Sequence, residues 1–217
     1  MEEKDLESLD EIKALLKERD GNSPPQAENS VMDAKKNVLA YIHDFVFLLA
    51  GILLVILLLF RIVVVSGPSM CDTLIDGDYI VLLNNVFYGK PKQGDIIVAS
   101  KNSFKNGEPI IKRVIATEGQ KVDIDFAAGI VYVDGVALVE PYTLTPTNMQ
   151  EGIQFPVTVE PGCIFVMGDN RNISKDSRNP EIGQIDCREV IGKAIFVIFP
   201  GQNEITKERE FNRIGAL

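Results

Sequence analysis

Residues 66–74 read Ser66-Gly67-Pro68-Ser69-Met70-Cys71-Asp72-Thr73-Leu74, and they divide the chain into two kinds of sequence. On their amino side lies a long apolar run. On their carboxyl side come short Val- and Ile-rich runs separated by Gly, Asp, Asn and Pro. Gly67 and Pro68 beside Ser69 favour a tight, extended backbone that holds a hydroxyl outward, the presentation a nucleophile needs and a packed core does not. Ser-Gly-Pro-Ser is equally an ordinary turn, so the stretch acquires meaning only through partners elsewhere in the chain.

Toward the amino end, residues 45–65 are apolar apart from Arg61. At about 1.5 Å per residue, a helix of that length crosses a hydrocarbon core of about 30 Å. The preceding segment is too long and acidic for the n-region of a signal peptide, and the run exceeds an h-region of roughly 7–15 residues. The sequence therefore predicts an uncleaved transmembrane anchor over 38–65. Lys35 and Lys36 precede it and Arg61 sits inside its far end, which places residues 1–37 in the cytoplasm and the larger domain outside. In that acidic tail Leu6, Leu9, Ile12, Leu15 and Leu16 recur at near-helical spacing, a short amphipathic helix. Gly21-Asn22-Ser23-Pro24-Pro25 closes it, and no function is assigned to it.

Toward the carboxyl end, strands are predicted over 79–83, 96–100, 110–117, 121–124, 130–133, 136–139, 163–167 and 190–198, which makes residues 66–217 an all-β domain. Asp134-Gly135 between two of these runs is a type I′ hairpin signal, because both central residues of that turn need positive φ. From Gly201 onward the sequence is polar and reads as a surface tail. With 217 residues, the chain has room for one such domain with a real core and no second enzyme domain.

The formal net charge of −9 excludes a nucleic-acid partner, since neutralising phosphates takes clustered Lys and Arg. Cys71, Cys163 and Cys187 are widely spaced with no CxxC pair, so neither a zinc site nor a disulfide framework is indicated. No cofactor or metal is expected. The only histidine is His43, at the start of the apolar helix, so the outer domain cannot hold a Ser-His-Asp triad. If Ser69 is a nucleophile, its base is a lysine or a carboxylate.

Lys112 is the lysine that stands out, set in Ile110-Ile111-Lys112-Arg113-Val114-Ile115. An unperturbed amine near 10.4 is deprotonated in only about one molecule in two thousand at neutral pH. Desolvation on a buried strand lowers a lysine by up to about 3–5 units. The ordinary alternative is a strand-edge lysine reaching into water. A third stretch, residues 168–178, is dense in charged and hydrogen-bonding groups immediately after an apolar run. Alone it reads as a solvated loop. Its carboxylates and arginines can also form a rigid paired frame, from which Ser174 could orient a neutral amine.

Taken together, these stretches resemble the bacterial type I signal peptidases of the Ser/Lys kind, from the membrane helix to about Gly201. Ser69-Met70 with Thr73-Leu74 is similar to the nucleophile box, and Gly77-Asp78-Tyr79-Ile80-Val81 to the strand that follows it. Lys112-Arg113-Val114-Ile115 with Gly119 is similar to the lysine box. Gly168-Asp169-Asn170-Arg171 with Ser174, Asp176, Ser177 and Arg178 is similar to the last box. The single span and acidic inner tail resemble the forms common in Gram-positive bacteria.

The resemblance implies a mostly antiparallel β fold and a membrane-bound serine endopeptidase that removes signal peptides from exported preproteins with small residues before the cut. It implies that Ser69 attacks, that Lys112 is the general base and that Ser174 hydrogen-bonds the lysine amine. Asp169 would pair with Arg113 and Asp176 with Arg178, while Met70, Leu74 and Ile111 would line shallow substrate pockets. The substrate would bind as an added strand. Two positions depart from the pattern. Asp72 stands where the family usually has proline, and Gly67 stands where some members carry an oxyanion-binding serine.

Two other readings compete. A self-cleaving Ser/Lys protease of the repressor type shares the two catalytic boxes but carries a DNA-binding domain and no anchor. A membrane-anchored β domain that binds partners without catalysis would need no neutral lysine.

Overall fold

A computed structural model describes residues 11–17, 25–71, 73–101, 104–203 and 206–217. Leu6, Leu9, the 21–24 breaker and Asp72 lie outside the described residues. Residues 11–17 are helical and exposed.

Helix α1 runs from Pro25 to Leu59, taking residues 25–37 into one helix with the apolar run. Its segment Lys35–Leu59 is long and apolar enough to cross a membrane. The helix stops short of the predicted boundary at Val65. Residues Phe60–Val64 form a strand, β1. The reason is local: Ile62, Val63 and Val64 are β-branched, stiff at χ1 and better suited to a pleated surface than to a helix. They also have a partner, because β1 pairs antiparallel with β2 (Tyr79–Asn84) from Phe60↔Leu83 to Val64↔Tyr79. Apolarity alone cannot separate a lipid-facing helical turn from an apolar edge strand.

The protein divides into two compact units, residues 1–54 and 55–217, and the second holds the β domain. After β2 and the short helix α2 (Asn85–Tyr88) come β3 (Ile96–Ser100), β4 (Pro109–Thr117), β5 (Lys121–Asp125) and β6 (Ile130–Val133). These are followed by β7 (Val136–Ala137), β8 (Val157–Thr158), β9 (Cys163–Met167), β10 (Ile185–Asp186), β11 (Val190–Phe199) and β12 (Gly215–Ala216). The main sheet has the order β1-β2-β11-β3-β4-β9-β10, with β12 paired to β11. The second sheet is β7-β6-β5-β8. Every pairing is antiparallel. Asp134 and Gly135 have φ of 53° and 80° at the β6–β7 turn, the geometry their sequence favours.

The continuous apolar run of β3 has a structural cause. Ile96 and Val98 face one core cluster with Val65, Met70, Leu74, Ile80 and Leu82, while Ile97 and Ala99 face another. A strand covered on both sides does not alternate. The tail expectation also changes: Phe211–Arg213 form a short 3-10 turn and β12 returns to pair with Phe196 and Val197 of β11.

Candidate active site

Ser69 lies in the turn that leaves β1. Gly67 adopts φ +87°, a conformation open to glycine, and its N–H donates to Asp76 Oδ1 at 2.8 Å. Asn170 holds the turn from the opposite side, its N–H donating to Ser69 O at 3.1 Å and its Nδ2 to Pro68 O at 3.2 Å. Lys112 projects from β4, paired to Ile97 of β3.

These two placements put Lys112 Nζ 2.8 Å from Ser69 Oγ. A charged amine donates across that distance, and a neutral amine accepts the serine proton. Nζ also donates to Ile111 O at 2.9 Å. Lys112 is 4% exposed. Burial pushes its pKa down from 10.5 to about 8, against the carboxylates of Asp176, Glu151 and Asp169, which favour the charged form. A lysine buried in this way therefore has a substantial neutral fraction near physiological pH.

The charged residues of 168–178 do not form a solvated loop. Asp169 accepts from Arg113 Nε at 2.8 Å and Nη2 at 2.6 Å, a bidentate pair, and from the Thr73 hydroxyl at 2.6 Å. Asp176 takes Arg178 Nε and Nη2, both at 2.8 Å, and the N–H of Gly168 at 3.0 Å. Arg178 also donates to Met149 O at 3.0 Å and Arg171 O at 2.6 Å. Asp169, Arg171, Asp176 and Arg178 are all fully buried and hydrogen-bonded, so they form a buried polar network that holds the strand end rigid; Ser174, buried beside them, stands apart from it.

Ser174 sits differently from the implied arrangement. Among the described residues its buried hydroxyl has no hydrogen-bond partner, and the amine bonds to Ile111 O. Gly168 explains how close the parts are: a Cβ there would lie 2.3 Å from Ser174 Oγ and 2.4 Å from Ser69 O.

A cleft of ≈ 470 Å³ opens beside Ser69, lined by residues that include Val63, Val65, Met70, Ile110, Ile111 and Lys112. Met70 and Ile111 belong to it, whereas Leu74 is fully buried in the core and lies beneath rather than in the wall. On β4 the pairing to β3 covers Pro109 to Arg113, but the pairing to β9 begins only at Arg113. Residues 109–112 thus present a free strand edge to the cleft.

Several site residues have no legible signal in the sequence. Glu140 pairs with Arg171 at 2.8 and 2.5 Å, Tyr142 lies 4.0 Å under the Arg113 guanidinium, and Glu151 approaches Arg178 at 3.6 Å. All three lie in the irregular segment between β7 and β8, where only tertiary contact reveals a role. Burial pushes the Glu151 carboxyl upward, helped by the neighbouring charge of Asp176. Cys163 and Cys187 are both thiols.

A buried lysine hydrogen-bonded to a turn serine, on an antiparallel β domain that follows an apolar helix, defines the class of serine hydrolases that work without histidine. The family model and the sequence relatives agree. The signal peptidase, peptidase S26, family matches residues 38–199. Signal peptidase I of Bacillus licheniformis is 34% identical over 188 residues, covering 83% of this chain and 98% of the relative. Signal peptidase I T of Bacillus subtilis is 33% identical, covering 79% and 92%. The crystal structure of a signal peptidase I from Enterococcus faecalis matches 49% of this chain and 97% of its own at 31% identity, with a TM-score of 0.40. The chain belongs to the peptidase S26 signal peptidase family.

Proposed function

We propose that this protein is a membrane-bound serine endopeptidase that removes N-terminal signal peptides from preproteins, with Ser69 as nucleophile and Lys112 as general base. The observation that carries the assignment is the 2.8 Å contact between Ser69 Oγ and a lysine amine that burial lowers to about 8. In the neutral state Lys112 accepts the Ser69 proton as Oγ attacks the scissile carbonyl, then delivers it to the leaving amine. The Ser69 N–H serves as a donor to the developing oxyanion. Ser174 supplies a buried hydroxyl that can take an amine hydrogen bond as the lysine changes protonation state.

The free edge at 109–112 and the limb at 63–69 form the two walls between which an extended peptide adds as a strand. Shallow apolar walls at Met70 and Ile111 suit small side chains before the cut. Membrane attachment through α1 brings the enzyme to substrates that are themselves membrane-inserted. Lys35 and Lys36 at one end of the span support a cytoplasmic amino terminus and an external catalytic domain. The outward face of β1, β2 and β11 supports a position at the bilayer: Ile62, Val64, Tyr79, Phe196 and Phe199 are all exposed, where an antiparallel sheet facing water carries polar residues.

The test is cleavage of a preprotein by the full chain and by Ser69→Ala and Lys112→Ala. Both variants are expected to lose processing, and the double variant to be no worse than either, since nucleophile and base act as a unit. Processing retained in Lys112→Ala at neutral pH would rule the mechanism out, and a non-catalytic binding domain would show no turnover in the wild type.

A further inference from the structure

The polar residues after 205 end against the loop that carries Ser69. Beyond the 3-10 turn Phe211–Arg213, β12 pairs with β11 and Leu217 N donates to Ile195 O at 3.1 Å. Arg213 is thereby pinned on both sides, and its side chain is only 15% exposed. Nη1 donates to Asp78 Oδ1 at 3.0 Å, Nη2 to Asp78 Oδ2 at 2.8 Å, and Nη2 again to Thr73 O at 3.1 Å.

Both acceptors belong to the return limb of the nucleophile loop. Asp78 is fully buried and takes two more donors, Gly201 N at 2.7 Å and Ile75 N at 2.9 Å. Its own carbonyl accepts from Val65 N at 2.8 Å, so it closes the base of the loop. Thr73 is the residue whose hydroxyl reaches Asp169, and Asp169 grips Arg113, the neighbour of Lys112. Between them, Leu74 N donates to Met70 O at 2.9 Å, tying the limb to the residue after Ser69. One guanidinium therefore joins the base of the loop to the strand that presents the lysine. Only a planar fork satisfies a carboxylate and a carbonyl at once in this way.

We propose that Arg213 is a positioning residue for the nucleophile: through Asp78 and Thr73, the returning carboxy-terminal segment sets where Ser69 Oγ stands against Lys112. The inference rests on the assignment of Ser69 and Lys112 as the catalytic pair. Neither Arg213 nor its segment touches the cleft, so the effect falls on the alignment of the reacting atoms and not on substrate contacts. A misplacement on the order of 1 Å is enough to cost about a hundredfold in rate.

The experiment uses the full chain in detergent or vesicles, with Arg213→Ala, Arg213→Lys, Arg209→Ala and Ser69→Ala assayed on a peptide substrate and followed by thermal melting. Arg209 belongs to the same segment, but its guanidinium bonds Pro200 O and stacks on Phe199, whereas Asp78 and Thr73 O are held by Arg213. Arg213→Ala is expected to lose about a hundredfold in kcat with KM changed less than about threefold. Millimolar guanidinium should restore at least a tenth of the lost rate, where equal methylammonium does not. Arg213→Lys should fall between, because the charge remains and the fork is lost, and it carries the test if the alanine variant does not fold. Arg209→Ala should keep the wild-type kcat.

Wild-type kcat in folded Arg213→Ala and Arg213→Lys would overturn the proposal. So would equal losses in Arg209→Ala and Arg213→Ala without guanidinium rescue, which would make the segment a matter of stability alone. Activity in Ser69→Ala would instead show that the underlying assignment of the nucleophile is wrong.

Discussion

Lys112 concentrates the energetic cost of this site in one residue. Its amine titrates near 8 in the folded chain against an ordinary 10.5, so kcat/KM should rise with pH and level off above about 8, because the acidic limb reports the free enzyme's base. The same difference sets a stability effect whose sign is opposite to that of a paired lysine. Below pH 8 the charged amine is buried at a cost. Between about 8 and 10.5 the unfolded chain binds the extra proton, so stability rises with pH until the cost vanishes. Lys112→Met should therefore be more stable than wild type by roughly 2 kcal/mol at pH 7, allowing for lost hydrogen bonds, and the gain should shrink toward pH 10.5. Melting curves across that range measure it, and a constant gain would place the amine in water. Gly168→Ala is a second test at this scale. A Cβ 2.3 Å from Ser174 Oγ and 2.4 Å from Ser69 O must move one or both, and a fall of about a hundredfold in kcat is expected.

Among the elements, β1 carries the most consequence, because it converts the end of an apolar run into the edge of the catalytic sheet. Val63 pairs with Ile80 and packs on the core, while Ile62 points outward. In detergent, Val63→Asp should cost roughly 2 kcal/mol, since it sets a carboxylate against the partly buried apolar side of the strand, whereas Ile62→Asp should stay within about 1 kcal/mol. In a lipid-facing helix the two would behave alike, so unfolding measurements distinguish the elements. The strand also loosens a geometric limit. Counted from Val65, Ser69 can be only about 13 Å from the apolar run; counted from Leu59, ten extended residues allow about 35 Å. Chain length therefore does not by itself bring the site to the membrane.

At the scale of the whole molecule, the proposed membrane contact rests on the apolar outer face of the sheet, with Ile62, Tyr79 and Phe199 exposed. Replacing Ile62, Tyr79 and Phe199 together by serine should slow processing of a membrane-inserted preprotein at least about tenfold and leave cleavage of a short soluble peptide unchanged. Equal loss on both substrates would show that the face supports the fold and not membrane contact. A flexible linker inserted between Leu59 and Phe60 should act in the same direction, by uncoupling the anchor from the catalytic domain.

Much of this protein is legible in its order of residues. The apolar run is long enough to span a bilayer, the Asp134-Gly135 turn has one comfortable conformation, and the Val- and Ile-rich runs between Gly, Asp, Asn and Pro mark β3, β6 and β9 at their observed limits. The absence of a histidine outside α1 narrowed the base to a lysine or a carboxylate, because that conclusion depends on composition and not on geometry. What only tertiary structure decided is where long-range partners meet. Phe60–Val64 is a strand because β2 lies beside it. Leu74 is core rather than pocket wall because the sheet folds over it, and Glu140 reaches Arg171 across 31 residues. Arg213 looks like part of a polar tail because nothing local marks its partner: Asp78 lies 135 residues away. Local sequence encodes propensity and period, but a buried charge finds its counter-charge only in the folded chain, where desolvation makes the pairing compulsory.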